Sequence, residues 1–273
     1  MRAQVLPQKR IERDKNLKIL VIGDVTSPKG VEHLTRTLWK FRKENGIDFC
    51  VVNGENASFV TGISPELADA LLLAGADCIT GGNHTLRNKR TYTFLDERRE
   101  ILRPINFGDS APGRGYTILD AAGYRVLVIS AMGNVHIDPV LDSPFPAIDR
   151  VLRETEGKYD VSVLDIHAEA TGEKLAVGYC YDGKISVIFG THTHVRTDDK
   201  KILPHGTGYI SDVGMCGESG GIIGMNAECV IERMRTHLPH PFRAADGECV
   251  ANGVIFEIDT ATARTTNITS VDF

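Results

Sequence analysis

The stretch Lys18-Ile-Leu-Val-Ile-Gly-Asp24 decides the reading of this chain. A β-branched apolar run stops abruptly at Gly23-Asp24, and Val31, Leu34, Leu38 and Phe41 then recur at helical spacing. The reading is strand, loop, helix. It repeats at once: Phe49-Cys-Val-Val52 ends in Asn53-Gly-Glu-Asn56, and Ser64-Pro65-Glu66 opens a helix to about Gly75, with Ser64 as N-cap and proline in the first turn. A third unit runs from Cys78-Ile-Thr80 into Gly81-Gly-Asn-His84, and the charged segment from Arg87 to Arg103 is expected to be helical until Pro104 stops it.

Beyond Pro104 the pattern changes. Tyr116–Leu119 and Arg125–Ile129, separated by Ala121-Ala-Gly123, read as a hairpin, so antiparallel strands join the parallel units. Ala147–Glu156 places Ile148, Val151 and Leu152 on one helical face, and Val161–Leu164 then runs into Asp165-Ile-His167. Ile185–Phe189 runs into Gly190-Thr-His-Thr-His194. Ala227–Met234 reads as a helix, and Gly253–Ile258 with Ala263–Ile268 as a closing hairpin. These elements predict a layered α/β protein with mixed sheets: a polar N-terminal extension over residues 1–17, then a single domain over 18–273.

Composition narrows the function. Apolar residues at 42% and charged residues at 25% are the mixture of a globular chain with a full core. The net charge of −5 gives no strong signal for nucleic acid or for an anionic membrane, so a phosphate-bearing ligand needs a local positive site. No apolar run approaches the roughly 18 residues that span a bilayer, and the N-terminus has no secretory apolar core. The six cysteines are dispersed without a Cys-x-x-Cys pair, which suits thiols in a reducing cytoplasm. The loop after the first strand lacks the glycine spacing of a dinucleotide site, and no phosphate-binding Gly-x-x-x-x-Gly-Lys-Ser/Thr loop occurs.

What remains is a set of metal-ligand donors at five strand ends: Asp24, Glu55-Asn56, Asn83-His84, His167, and His192 with His194. Singly, each has an ordinary explanation as a turn former, a cap or a surface histidine. Together they are placed where α/β sheets bind ligands, outside the carboxyl ends of the strands. His192 and His194, two apart in extended chain, face the same side.

In order and spacing, Gly23-Asp24, Gly54-Glu55-Asn56, Gly82-Asn83-His84, His167 and Gly190-Thr-His-Thr-His194 resemble the motifs of the calcineurin-like metallophosphoesterase superfamily, and most closely its YmdB-like branch. The superfamily's first motif is Asp-x-His, but Thr26 stands two after Asp24, and Glu55 stands where a bridging Asp is usual; the branch shares both departures. Leu203-Pro204, Asp212-Val-Gly-Met215 and Ile223-Gly-Met225 extend the resemblance over most of residues 18–270. Leu86, Arg196 and the Thr26–Gly30 loop depart from the branch and are expected at the mouth of the site.

The resemblance implies an α-β-β-α sandwich and a two-metal site, with Fe or Mn as the expected ions, either divalent or of mixed valence. One ion would take Asp24, Asn56 and His194, the other Asn83, His167 and His192, with Glu55 bridging. It further implies a phosphodiesterase, with 2′,3′-cyclic nucleotides as candidate substrates, a hydroxide activated by the metals, and His84 free to protonate the leaving group. Relatives also suggest a homo-oligomer. A regulatory protein that keeps the fold and metals but acts through a partner is the competing expectation.

Overall fold

The computed structural model describes residues 16–59 and 62–273. Its first half runs β1 (Asn16–Ile22), β2 (Asp24–Val25), α1 (Pro28–Asn45), β3 (Phe49–Asn53), α2 (Pro65–Ala74), β4 (Cys78–Thr80), α3 (Thr91–Glu97), β5 (Tyr116–Ala121) and β6 (Tyr124–Met132). The second half continues with α4 (Pro144–Glu154), β7 (Val161–His167), α5 (Thr171–Cys180), β8 (Val187–Thr191), β9 (Lys201–Ile202), β10 (Gly208–Ile210) and β11 (Met215–Glu218). It closes with α6 (Ala227–Thr236), β12 (Cys249–Asp259) and β13 (Arg264–Asp272). Of the expected N-terminal extension, residues 1–15 lie outside the described residues; Asn16 and Leu17 belong to β1.

Alternation along the strands builds the layers, because successive side chains leave a strand on opposite faces. From β1, Leu17, Ile19 and Val21 point into a core shared with Val126 and Val128 of β6, Val161 and Val163 of β7 and Phe189 of β8. Leu20 and Ile22 point the other way, onto Val31, Leu34 and Leu38 of α1 and Leu71 of α2. On the far side, Leu127, Ile129, Leu164 and Ile166 meet Ile148 and Val151 of α4 and Val177 of α5. The result is the α-β-β-α sandwich. One sheet has the order β2-β11-β12-β1-β3-β4 with β13 also on β12; the other has the order β5-β6-β7-β8-β10-β9.

Both sheets are mixed, with β1-β3-β4 and β6-β7-β8 parallel and the two hairpins antiparallel. The β5-β6 turn is tight because Ala122 and Gly123 both take positive φ, 49° and 84°, the conformation that two-residue hairpins require. Ser64 caps α2 by accepting from Leu67 N at 3.3 Å, and Gly75 ends it in the left-handed region.

Two expectations are corrected, and one helix is added. Arg87–Arg103 is not one helix: a 3-10 turn at Thr85–Arg87 and the short α3 end before Arg98, and the chain then extends. Ile101 and Leu102 are buried there, and Leu102 N donates to Ile79 O at 2.8 Å, so sheet-edge pairing prevails over helix propensity. Helix α5 is unanticipated because Gly172 and Gly178 weaken its signal. Gly178 is required by packing, since a Cβ there would lie 2.8 Å from the Tyr209 ring. The strand expected from Ile185 begins only at Val187; Ile185 pairs back to Asp182.

Gly23 joins β1 to β2 where the chain passes close against its neighbour: a Cβ would sit 1.9 Å from Gly214 O. That obstacle is backbone and cannot rotate away. Gly23→Ala is therefore expected to destabilise the fold by about 3 kcal/mol, the upper end of ordinary overpacking. The midpoint of urea unfolding measures it, and a loss under about 0.5 kcal/mol, the scatter of ordinary surface substitutions, would contradict the close approach.

Candidate metal centre

Towards their carboxyl ends, the inward faces of four strands change from apolar to polar without changing register. Phe49 and Val51 are followed by Asn53, Cys78 by Thr80, Val161 and Val163 by Asp165 and His167, and Val187 and Phe189 by Thr191. These groups form a buried floor between the sheets. Asp165, with no exposed surface, accepts from Asn53 Nδ2 at 3.0 Å, Thr80 Oγ1 at 2.5 Å and Thr191 Oγ1 at 2.7 Å. Burial lifts its pKa to about 6, against the pull of His167 and these three donors.

Above the floor, the donors anticipated at the strand ends meet in two groups. In one, His194 Nε2 stands 3.7 Å from Asp24 Oδ1 and 3.4 Å from Asn56 Nδ2. In the other, His167 Nε2 lies 3.1 Å from both Asn83 Oδ1 and His192 Nδ1. Glu55 joins the groups: its Oε1 accepts from Asn56 Nδ2 at 2.9 Å and lies 3.4 Å from His167 Nε2. Glu55, His167 and His192 each offer one donor atom, all within 4.8 Å of one another. His84 stands beside them, its backbone N–H donating to Glu55 Oε2 at 2.9 Å and its Nδ1 to Asn56 Oδ1 at 2.6 Å. Asn56 thus turns its amide nitrogen inward; presenting its oxygen there requires the amide to turn over, which exchanges O and N without moving the chain.

Each histidine of the two groups has its other nitrogen committed. The Thr191 hydroxyl donates to Asp165 and so accepts from His167 Nδ1 at 2.9 Å, which leaves Nε2 facing the site. His192 Nε2 stands 3.1 Å from Glu169 Oε2, and His194 Nδ1 donates to Ile223 O at 3.1 Å. A histidine whose outer nitrogen is held in this way is oriented as a metal ligand. His192 and His194 both take positive φ, 100° and 64°, which non-glycine residues rarely adopt. Such strain persists only where the surroundings impose it.

The electrostatics describe a shortage of positive charge. Burial raises the pKa of Asp24, with only partial relief from His194 and His167. Burial also opposes the charge of Glu55, yet His167 and His84 outweigh it and hold the carboxyl well below its usual range. Burial opposes a proton on His167 as well, but Glu55 and Asp24 prevail and lift its pKa to about 9. Burial and the neighbouring His167 push His192 down to about 3, leaving it a neutral donor. Asp24 Oδ1 is buried and has no hydrogen-bond partner. Access is tight: a Cβ on Gly82 would lie 2.3 Å from Glu55 Oε2 and His167 Nε2. The oxygen and imidazole donors fit divalent transition metals, and cations in this space would supply the missing charge.

Several residues that shape the site were not singled out in the sequence. Lys174, on the unanticipated α5, is 2% exposed and donates from Nζ to Asp212 Oδ2 at 2.9 Å. The same carboxylate oxygen accepts from Thr193 N at 3.1 Å and Thr193 Oγ1 at 2.8 Å, between the two strained histidines. Glu169 and Thr191 had a legible signal, each standing within two residues of a donor histidine. Of the departures expected at the mouth, Leu86 packs on the α1–α2 core and Arg196 pairs with Asp272 on β13. Ser27, in the third, caps α1 by accepting from Gly30 N at 3.2 Å.

Two outcomes follow from these contacts. Lys174→Met leaves the Asp212 carboxylate buried without its cation and is expected to cost about 3–5 kcal/mol, read from urea unfolding. A cost below about 1 kcal/mol, the level of an exposed pair, would show that the pair does not hold the loop. In metal-free protein, protonated His167 contributes stability in full below its ordinary pKa of 6.5 and loses that contribution as pH rises to about 9. Chelator-treated protein should therefore lose thermal stability between these values, whereas metal-loaded protein should not follow that slope. Equal slopes in matched buffers would remove His167 from the exchange between proton and metal.

Residues 20–271 match the family model of YmdB-like proteins. The chain is 40% identical over 252 residues to the 2′,3′-cyclic-nucleotide 2′-phosphodiesterase of Bacillus subtilis (strain 168), covering 92% of this chain and 95% of that one. Among solved structures, it is similar to a protein of Thermus thermophilus, with a TM-score of 0.86 and 36% identity over 94% of this chain and 99% of that one. It is also similar to a phosphatase of Mycoplasma pneumoniae, with a TM-score of 0.87 and 29% identity over 94% of this chain and 93% of that one. With a full-length family match and the donors of that family's motifs gathered at the strand ends, the chain belongs to the YmdB-like family.

Proposed function

We propose that this protein is a two-metal phosphodiesterase acting on 2′,3′-cyclic nucleotides, with residues 18–273 as its catalytic unit. The observation that carries the reading is the pair of donor groups joined by Glu55, with an unpartnered carboxylate oxygen of Asp24 turned into the space between them. Asp24, Asn56 and His194 would hold one ion and Asn83, His167 and His192 the other, with Glu55 shared. Fe and Mn suit this mixture of oxygen and imidazole donors. When bound, the ions supply Lewis-acid charge for the phosphate oxygens and lower the pKa of the attacking water. The activity of the Bacillus relative supports the substrate class. The free cysteines support placement in a reducing compartment, the cytoplasm. Among the described residues, no helix is long and apolar enough to cross a membrane.

The chain's own part in the reaction falls to His84. Its Nδ1 faces the Asn56 amide, which would offer it Nδ2–H once the amide had turned its oxygen towards a metal, so that the imidazole proton stands at Nε2 to meet the leaving oxygen. Burial lowers its pKa, while Glu55 nearby pulls the other way. With the amide so turned, the neutral imidazole carries its proton at Nε2, from which it can pass to the departing alkoxide.

His84→Ala should lower kcat by roughly 10²-fold to 10⁴-fold with metal content unchanged. With Mn²⁺, wild-type protein should hydrolyse both bis-p-nitrophenyl phosphate and an alkyl phosphodiester. The substitution should slow the alkyl substrate far more, because p-nitrophenolate leaves without a proton. Equal slowing of both substrates at full metal content would assign His84 to phosphate positioning instead. A metal-loaded wild type that hydrolyses neither would favour the non-catalytic regulatory reading.

A further inference from the structure

The chain leaves the metal centre at Gly82-Asn-His84 and turns at once. Thr85, 2% exposed, pins this exit with one hydroxyl, which accepts from Gly82 N at 2.8 Å and donates to Gly82 O at 2.9 Å. The 3-10 turn Thr85–Arg87 follows, closed by Arg87 N donating to His84 O at 2.9 Å. His84 is itself in the helical region, at φ −96° and ψ −9°, so Arg87 stands one full 3-10 turn beyond it. Side chains spaced in this way eclipse, and Arg87 therefore rises on the face that carries the His84 imidazole. Leu86 holds the turn in place: its side chain packs on the α1–α2 core and its carbonyl accepts from the Tyr92 hydroxyl at 2.8 Å.

Exposure increases along this path. Gly82 is buried, His84 half-buried and Arg87 exposed, so the line from the donor groups through the imidazole to the guanidinium runs out of the site. The Arg87 charge is felt at the imidazole: burial lowers the His84 pKa most, Glu55 opposes it, and Arg87 lowers it further. Lys89 and Arg90 are exposed as well, with Arg90 pairing with Glu66, and no residue from Thr85 to Arg90 is acidic. In a chain of net charge −5, this is a local cationic stretch at the rim of a site for phosphate.

The chemistry of the substrate says what would reach this arginine. The leaving oxygen of a 2′,3′-cyclic phosphate belongs to the ribose, so a leaving oxygen met by His84 Nε2 puts the sugar on the His84 side of the metals, towards Arg87. At the 5′ oxygen of that ribose a nucleic acid strand continues, and the next group along it is a phosphodiester anion. We propose that Arg87 receives this phosphodiester, so that the preferred substrate is the 2′,3′-cyclic phosphate end of an RNA strand rather than a free mononucleotide. The inference rests on the phosphodiesterase reading and extends it to a substrate class. Arginine suits the role because its planar guanidinium meets two phosphate oxygens at once. Such a contact positions the strand end without reading a base, and it acts on binding rather than on the bond that breaks.

The test compares adenosine 2′,3′-cyclic phosphate with the dinucleotide adenylyl-adenosine 2′,3′-cyclic phosphate, which has the same reacting end, on the metal-loaded full chain. A charge-assisted contact at an exposed arginine should give the dinucleotide a KM about tenfold below that of the mononucleotide, with the difference in KM rather than in kcat. Arg87→Ala should bring the two KM values together, and Arg87→Lys should keep part of the difference. The salt dependence of the dinucleotide KM should lose about one charge's worth of slope in Arg87→Ala. A dinucleotide whose internucleotide phosphate is replaced by a neutral methylphosphonate should behave towards wild type as the mononucleotide does. Equal KM values for dinucleotide and mononucleotide in wild type would overturn the proposal. So would a dinucleotide advantage that survives Arg87→Ala or the methylphosphonate, which would assign it to the added base. Wild-type protein inert towards both substrates would instead sink the phosphodiesterase reading. In that event, fluorescence anisotropy of a labelled oligoribonucleotide ending in a cyclic phosphate decides Arg87 separately: binding that Arg87→Ala weakens about tenfold supports it, and equal binding or none overturns it.

Discussion

A carboxylate withdrawn from water must be met by donors or by a cation, and the middle of this protein is organised around that demand. Asp24, Glu55, Asp165 and Asp212 are each no more than 1% exposed. Asp165 is answered by three hydrogen-bond donors and Asp212 by Lys174, Thr193 and Gly214. Asp24 and Glu55 are answered only by histidines and amides, one of which, His167, keeps a proton to about pH 9 on their account. Of the four, only Asp24 keeps a buried oxygen without a hydrogen-bond partner. This division separates the scaffold of the site from its reactive part.

The scaffold is continuous with the core. The strands that bury Val163 and Phe189 between the sheets deliver Asp165, His167 and Thr191 to the same inner face a few residues later. Little backbone adjustment is needed there, because strand geometry alone sets the spacing. In the His192–His194 loop and the Ile222–Met225 turn, positive φ angles aim groups that a strand could not aim. The Lys174–Asp212 pair ties the first of these to α5, and the Ile223 carbonyl ties the second to His194.

What the sequence by itself determined are features that depend on neighbours along the chain. The β-branched runs at Ile19–Ile22, Phe49–Val52 and Val161–Leu164, the capping of α2 by Ser64, and the hairpins around Gly123 and before Ala263 each have a local physical cause. The donors could be assembled from sequence for the same reason. Each follows a strand, and parallel strands in one sheet bring their carboxyl ends to one edge. What only the tertiary structure decided depends on partners distant along the chain. Ile101 and Leu102 leave helical conformation because the edge of β4 is there to pair with, and α5 keeps Gly178 because Tyr209 occupies the space of a side chain. The roles of Asp165 and Lys174 arise from residues 26 to 112 positions away. Glu169 appears as the support of His192 only once a loop has folded back. A charge in the sequence does not say whether it will be solvated or buried, and at this site burial decides which carboxylates the chain surrounds with donors and which it leaves with an unpartnered oxygen.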